Sequence, residues 1–356
     1  MLKQHHRTRS TGKATTTSSR GLIALACSFS LAVFALALPA KAQTPTAPLR
    51  TLIDTGHAAE ALTQIAQLRT QTPAPPGLDR LEGLADYAQG DLRQASTAFA
   101  AALKADPADA ESTQMRGLTL FRLGRPADAI PLLEASRATI ANSKADPNYV
   151  LALCYIDTRR YDDARHAFAA QYAFPPDSAP AYLIAARMLL RREYLPVAQQ
   201  FAQKSLTLSP QLPLAHELLG EIALAGNHLD EAIAQLEQEK ANNPLEGIVY
   251  DRLGDAYLRS AKYDEAQRNL EEALLLEPNA TGPFILLGKT MLKKQDPLAA
   301  ATFLERAEKM DPANYMTHNL LGQAYRAMGR PADATRETAT AQKIQSADEP
   351  KLQAPN

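Results

Sequence analysis

Along most of the chain, apolar residues recur at steps of three and four, the spacing of one face of a helix. The stretch YDRLGDAYLRSAKYDEAQRNLEEALLLEPNA, from Tyr250 to Ala280, shows it well. Leu270, Ala273 and Leu274 fall on one such stripe, with charged residues between them. The pattern predicts two successive amphipathic helices in this stretch, closed by Pro278. It contains no grouping of side chains that suggests an active site.

The same pattern returns at a fixed interval. From Ala266, equal steps back reach Ala232, Ala198 and Ala164; a step longer by a single position reaches Ala129, and equal steps then reach Ala95 and Ala61. Forward steps give Ala300 and Ala334. A second series, Gly83, Gly117, Gly220, Gly254, Gly288 and Gly322, lies twelve places earlier, with Ala152 and Ala186 in the other two units. A third lies twelve places later: Pro73, Pro107, Pro176, Pro210, Pro244, Pro278 and Pro312, with Ala141 once in their stead. The small residues predict close approach of paired helices, where a larger side chain would cost about 1–3 kcal/mol by overpacking. The prolines end each unit because they lack the backbone donor a helix needs. The extra residue is expected in the polar loop at 142–146, where added length costs little.

This unit resembles the tetratricopeptide repeat, whose period of about 34 residues it shares. The residues that carry the likeness are Tyr250, Leu253-Gly254 and Tyr257, then Tyr263, Ala266, Leu270, Ala273 and Pro278. Gly83, Ala95, Phe99 and Pro107 match the same places in another unit. The resemblance implies an all-α fold, a right-handed superhelical solenoid of tandem helix-turn-helix units. Eight units are expected over residues 76–348, preceded by a degenerate repeat at 43–75, where Leu49 stands in the glycine place. Thr338 replaces the leucine of the last unit, as suits a terminal cap with no further repeat to cover it. The tail, 349–356, is expected to be disordered.

The N-terminus has a different pattern. Basic, Ser/Thr-rich residues precede an apolar run from Gly21 to Leu38, and Ala40-Lys41-Ala42 fits a signal-peptidase site. Residues 1–42 therefore read as a signal peptide, which predicts an exported protein, periplasmic or secreted. An uncleaved anchor is the alternative, and would be the only membrane contact. The segment also changes the charge picture. It holds six of the 38 Lys and Arg and none of the 39 acids, so the net charge of −1 becomes −7 for the remaining chain. A mildly acidic body speaks against nucleic-acid binding. Of the two cysteines, Cys27 would leave with the signal, and Cys154 sits in an apolar pattern where it is expected to pack as a small residue.

Candidate chemistry is sparse. His57, His166, His216, His228 and His318 fall in different repeats without zinc-ligand spacing. No phosphate-cradling loop or nucleophile elbow appears, so no catalytic residue, metal or cofactor is expected. The resemblance implies instead a protein or peptide partner held in a concave groove lined by the first helix of each unit. In that register the early units place Leu84, Tyr87, Leu118, Phe121, Tyr149 and Leu153, an apolar and aromatic stripe. Arg187 and Arg191 follow, then the acids Glu217, Glu221, Asp251 and Asp255. Lys289, Lys293, Asn319, Gln323 and Arg326 complete the surface. The stripe is expected to take apolar side chains and the acidic patch a Lys- or Arg-bearing segment; simple solvation of helix faces is the plainer reading of the charges. A carbohydrate- or lipid-binding envelope protein and a non-catalytic subunit of an enzyme complex remain the alternatives to a protein-binding scaffold.

Overall fold

The computed structural model describes residues 46–137 and 147–348. The expected signal segment, the loop at 142–146 and the tail at 349–356 lie outside the described residues. The chain's contacts divide after Thr44, and every described residue falls in the unit that follows.

Helices follow one another in pairs. The first pair is α1 (Ala47–Asp54) and α2 (Ala58–Arg69), and the second α3 (Leu78–Gln89) and α4 (Leu92–Ala105). Next come α5 (Ala110–Arg122) with α6 (Pro126–Arg137), α7 (Pro147–Asp157) with α8 (Tyr161–Gln171), and α9 (Ala179–Arg191) with α10 (Leu195–Leu208). They are followed by α11 (Ala215–Ala225) with α12 (Leu229–Asn242), and α13 (Gly247–Arg259) with α14 (Tyr263–Leu276). The last two pairs are α15 (Thr281–Lys293) with α16 (Pro297–Met310), and α17 (Tyr315–Ala327) with α18 (Pro331–Asp348). No strand occurs among the described residues, and none of their helices is long and apolar enough to cross a membrane.

Within each pair the chain turns in one way. The residue fifteenth in the unit takes a positive φ, as in Gly90, Gly124, Arg159, Asn227, Ala261 and Gln295. The next N–H then bonds back to the fifth residue before it: Lys262 N donates to Tyr257 O at 2.9 Å, and Asp296 N to Met291 O at 2.9 Å. This is a Schellman closure, which satisfies carbonyls left free at the end of a helix. Second helices stop just short of the periodic proline, as α14 does at Leu276 before Pro278. Two first helices, α5 and α17, begin on a side-chain cap. Asp109 accepts from Ser112 N at 3.2 Å, and Asn314 accepts from Met316 N and Thr317 N.

The glycine series sets the closeness of each pair. A Cβ added to Gly254 would lie 2.4 Å from Leu270, and one added to Gly288 would lie 2.4 Å from Leu304. In each case the opposing residue comes sixteen places later, on the second helix. In the last unit that opposing residue is Thr338, whose hydroxyl bonds Ala334 O at 2.8 Å and presents little apolar bulk.

Between units the helices stack unequally. Odd-numbered helices meet the next odd helix, as α11 meets α13 and α13 meets α15, while even-numbered helices make no comparable contact with one another. The odd helices thus form the tighter, inner row and the even ones the splayed, outer row. Because each unit touches only its neighbours, burial is shared along a line rather than gathered in one centre.

Candidate partner-binding surface

The inner row begins with the apolar stripe, and little of it stands free. Leu84 is buried at 8% exposure, packed with Leu81 and Phe99 in the core of the first units. Tyr87 is half-buried beneath Arg122, whose guanidinium lies 4.7 Å from the ring centre. Leu118, Phe121, Tyr149 and Leu153 are likewise half-buried against a continuous core running from Leu120 to Ile222. Tyr149 meets Phe168 edge-on at 5.8 Å, and its hydroxyl lies 3.9 Å from the Met188 sulfur of α9. These side chains join one unit to the next and leave only their edges to a partner.

The acidic patch differs more sharply from expectation. Glu217 is 1% exposed and lies between two arginines from the flanking units. Arg187 Nη2 of α9 reaches it at 2.7 Å, and Arg252 Nε of α13 at 3.1 Å. Arg252 also donates to Glu221 at 2.8 Å, with Arg187 at 3.7 Å from the same carboxylate. The four residues make one ladder across α9, α11 and α13. Glu217 and Glu221 are therefore not free acids awaiting a basic segment; the neighbouring units have supplied the cations. The register of inner-face positions passed over Arg252 because it stands one place beside them. Its signal was a base next to Asp251 in the chain, within reach of the acids on the preceding helix.

Behind the ladder, Glu239 of α12 is fully buried. Its carboxylate accepts from Leu214 N at 2.8 Å, His216 N at 3.1 Å and Glu217 N at 3.3 Å. An anion at the start of α11 satisfies donors that the helix leaves unpaired. The sequence reading missed it, since its place is a small or amide residue in most other units.

Asp251 and Asp255 complete the patch. Asp255 is paired on its own helix with Arg259 at 3.5 Å. One Asp251 oxygen is buried with no hydrogen-bond partner among the described residues. Burial pushes this carboxyl up to about 6; Arg252 opposes the rise, and Asp255 and Glu277 add to it.

At the far end the inner face is basic. Lys293, Gln323 and Arg326 are exposed, and Lys289 and Asn319 are half-buried. Arg191 is also exposed. Among the described residues, Lys289, Lys293 and Arg326 form no ion pair, in contrast to Arg187 and Arg252.

Other reactive groups are engaged in packing. Cys154 is buried, and its thiol is pushed up to about 12, chiefly by burial, so it is not a thiolate near neutral pH. Sequence spacing gave no metal-ligand group, yet Glu308, His318 and Glu337 converge within 4.8 Å. His318 Nδ1 lies 2.8 Å from Glu337, and Nε2 lies 3.0 Å from the Pro312 carbonyl. A carbonyl brings no proton, so Nε2 carries one; with Glu337 on the other nitrogen, the ring fits a buried imidazolium. Burial lowers its pKa, but the bonds to Pro312 and Glu337 outweigh that and hold it above the ordinary histidine value.

Family models agree with this architecture. Those of the tetratricopeptide repeat match residues 80–147, 285–348 and 247–280. The chain is 24% identical over 203 residues to the anaphase-promoting complex subunit cut9 of Schizosaccharomyces pombe, covering 54% of this chain and 30% of that protein. It is 30% identical over 96 residues to the chloroplastic tetratricopeptide repeat domain-containing protein PYG7 of Arabidopsis thaliana, covering 26% of this chain and 32% of that one. The chain thus spans about a third of the length of these curated relatives. Among solved structures, MamA from Desulfovibrio magneticus RS-1 overlaps 49% of this chain and 98% of its own at 17% identity and a TM-score of 0.45.

Proposed function

The chain belongs to the tetratricopeptide repeat proteins, and from that premise we propose that it is a non-catalytic scaffold whose inner face holds a protein or peptide partner. The observation that carries the reading is the division of charge along that face. Glu217 and Glu221 are neutralised by Arg187 and Arg252, whereas Lys289, Lys293 and Arg326 keep no carboxylate among the described residues. Apart from the half-buried Asp251, the free charge of the groove is therefore basic, and the partner segment it suits is acidic. The half-buried edges of Tyr149 and Leu153 offer apolar contact farther along the same row.

An exported setting, periplasmic or secreted, and a part in envelope assembly complete the proposal. Their support is the basic N-terminal start, the apolar run from Gly21 to Leu38 and the Ala40-Lys41-Ala42 that follows it. Sequencing the N-terminus of the protein made in its own cell tests this, and a chain that keeps Met1 overturns export by cleavage.

The binding reading is tested by replacing Lys289, Lys293 and Arg326 together with Glu. These residues are outside the ion pairs between units, so thermal unfolding is expected to stay near that of the parent. A photo-crosslinker at Gln323 is expected to capture a protein in the native cell, and the triple variant to lose it. Equal capture by both would sink the basic-groove reading.

A further inference from the structure

Outer surfaces of two units can be compared residue by residue. In the unit of α13 and α14, a depression lies between α12 and α14, with a volume of about 400 Å³. Tyr250 and Tyr257 of α13 fill its floor. The Tyr257 hydroxyl donates to Glu237 of the preceding unit at 3.0 Å, and Lys262 lies over the ring at 5.9 Å. Tyr325 repeats the arrangement with Glu305 and Arg330, and Tyr155 repeats it with Glu134 and Arg160. A tyrosine in this place thus closes the groove and finds its own partners in three units.

The unit of α3 and α4 departs from that arrangement. The places of Tyr250, Tyr257 and Glu237 are taken by Asp79, Asp86 and Ala66, each lying five repeats and the single insertion earlier. Two rings are lost, and the depression between α2 and α4 grows to about 670 Å³. Asp86 lines this cavity at 3% exposure and has no hydrogen-bond partner for its side chain among the described residues. Arg69 also lines it and is held by Asp79 at 2.6 Å and by Glu82. Arg93 lines the cavity as well and forms no ion pair among the described residues, but neither arginine bonds Asp86. Burial, with Glu82 and Asp91 close by, pushes the Asp86 carboxyl up to about 6, which leaves it largely ionised at neutral pH. The Asp86 carboxylate meets the open depression rather than a protein donor, so an entering cation supplies a partner that the protein does not. Ala98 and Ala101 of α4 line another wall and suit an aliphatic stem.

We propose that the cavity between α2, α3 and α4 binds an alkylammonium group, with Asp86 as its counter-ion and the α4 alanines along its stem. This site lies on the outer row and is independent of the inner-face partner. The same chemistry is presented by a lysine side chain of a bound segment and by a free aliphatic diamine.

NMR titration separates these sources and tests the site. The probes are Nα-acetyl-lysine amide, 1,5-diaminopentane and, as neutral control, Nα-acetyl-norleucine amide. One or both cations are expected to shift the backbone amides of α3 and α4, and the neutral probe to leave them in place. A response to the lysine amide alone assigns the site to a peptide side chain, and to the diamine alone assigns it to a free amine. Asp86→Asn is expected to weaken binding about tenfold or more. Asp86→Tyr, which restores the ring that the repeat carries here in other units, is expected to abolish binding while keeping the helical spectrum. The proposal is overturned if neither cation shifts these amides, if the norleucine amide shifts them equally, or if Asp86→Asn binds like the parent.

Discussion

The inner faces of α3, α5 and α7 and of α9, α11 and α13 occupy the same places in the repeat but join their units by different means. The first set uses half-buried apolar side chains such as Leu118, Phe121 and Tyr149. The second uses the Arg187–Glu217–Arg252 ladder. Apolar contact needs only shape and tolerates substitution by similar volumes. A buried carboxylate tolerates much less, because loss of either partner leaves desolvated charge behind. The comparison teaches that an inner-face position can be consumed by stacking before it is offered to a partner.

Three sets of substitutions probe this difference. The largest effect is expected from Glu217→Ala, which leaves Arg187 and Arg252 facing each other and costs about 3 kcal/mol in urea unfolding. Arg191→Ala, exposed on the same face, is expected to change stability by less than about 0.5 kcal/mol. Similar losses from both would show that the ladder is ordinary surface charge.

Next comes the pH dependence of Asp251, beside the ladder. Its carboxyl is raised to about 6 in the folded protein, so the native state holds this proton more tightly than the unfolded chain does. Stability at this site is therefore lost as pH rises through the window from the ordinary aspartate value to about 6. Asp251→Asn is expected to raise the Tm at about pH 7 and to have little effect below about pH 4, where both states are protonated. An equal gain at both values would place the effect in packing rather than charge. No similar titration is expected from the apolar stripe.

The smallest effect concerns the turns of the two regions. The early units and the last one place Gly90, Gly124 and Gly329 at the positive-φ position, whereas the five units between place Arg159, Glu193, Asn227, Ala261 and Gln295 there. A side chain in that conformation costs about 1–2 kcal/mol, partly offset by the greater freedom glycine loses on folding. Ala261→Gly is expected to stabilise by about 0.5–1 kcal/mol, and Gly124→Ala to destabilise by a similar amount, both read from thermal unfolding. A loss from Ala261→Gly would show that the turn is not strained.

Much of the architecture was legible because it depends on local spacing. The periodic glycines marked places where a Cβ would strike Leu270 or Leu304, and Thr338 marked the last unit. The site was less legible. Glu217 and Glu221 were readable as inner-face acids, but their neutralisation by Arg187 and Arg252 depends on side chains that meet across three helices. Asp86 attracted no notice in the sequence, since one aspartate in a tyrosine place looks like ordinary repeat variation.

Composition and period by themselves determined that this chain forms paired helices, where each pair turns, and how closely its helices approach. These follow from steric limits that recur in every unit. Only the tertiary structure decided which charges are spent. Glu217 is bound by its neighbours, Lys289 is not, and Asp86 is buried without a bond to either arginine of its cavity. The reason is physical: helix periodicity fixes the direction of a side chain, whereas pairing and desolvation depend on which residues of adjacent units come within a few ångströms.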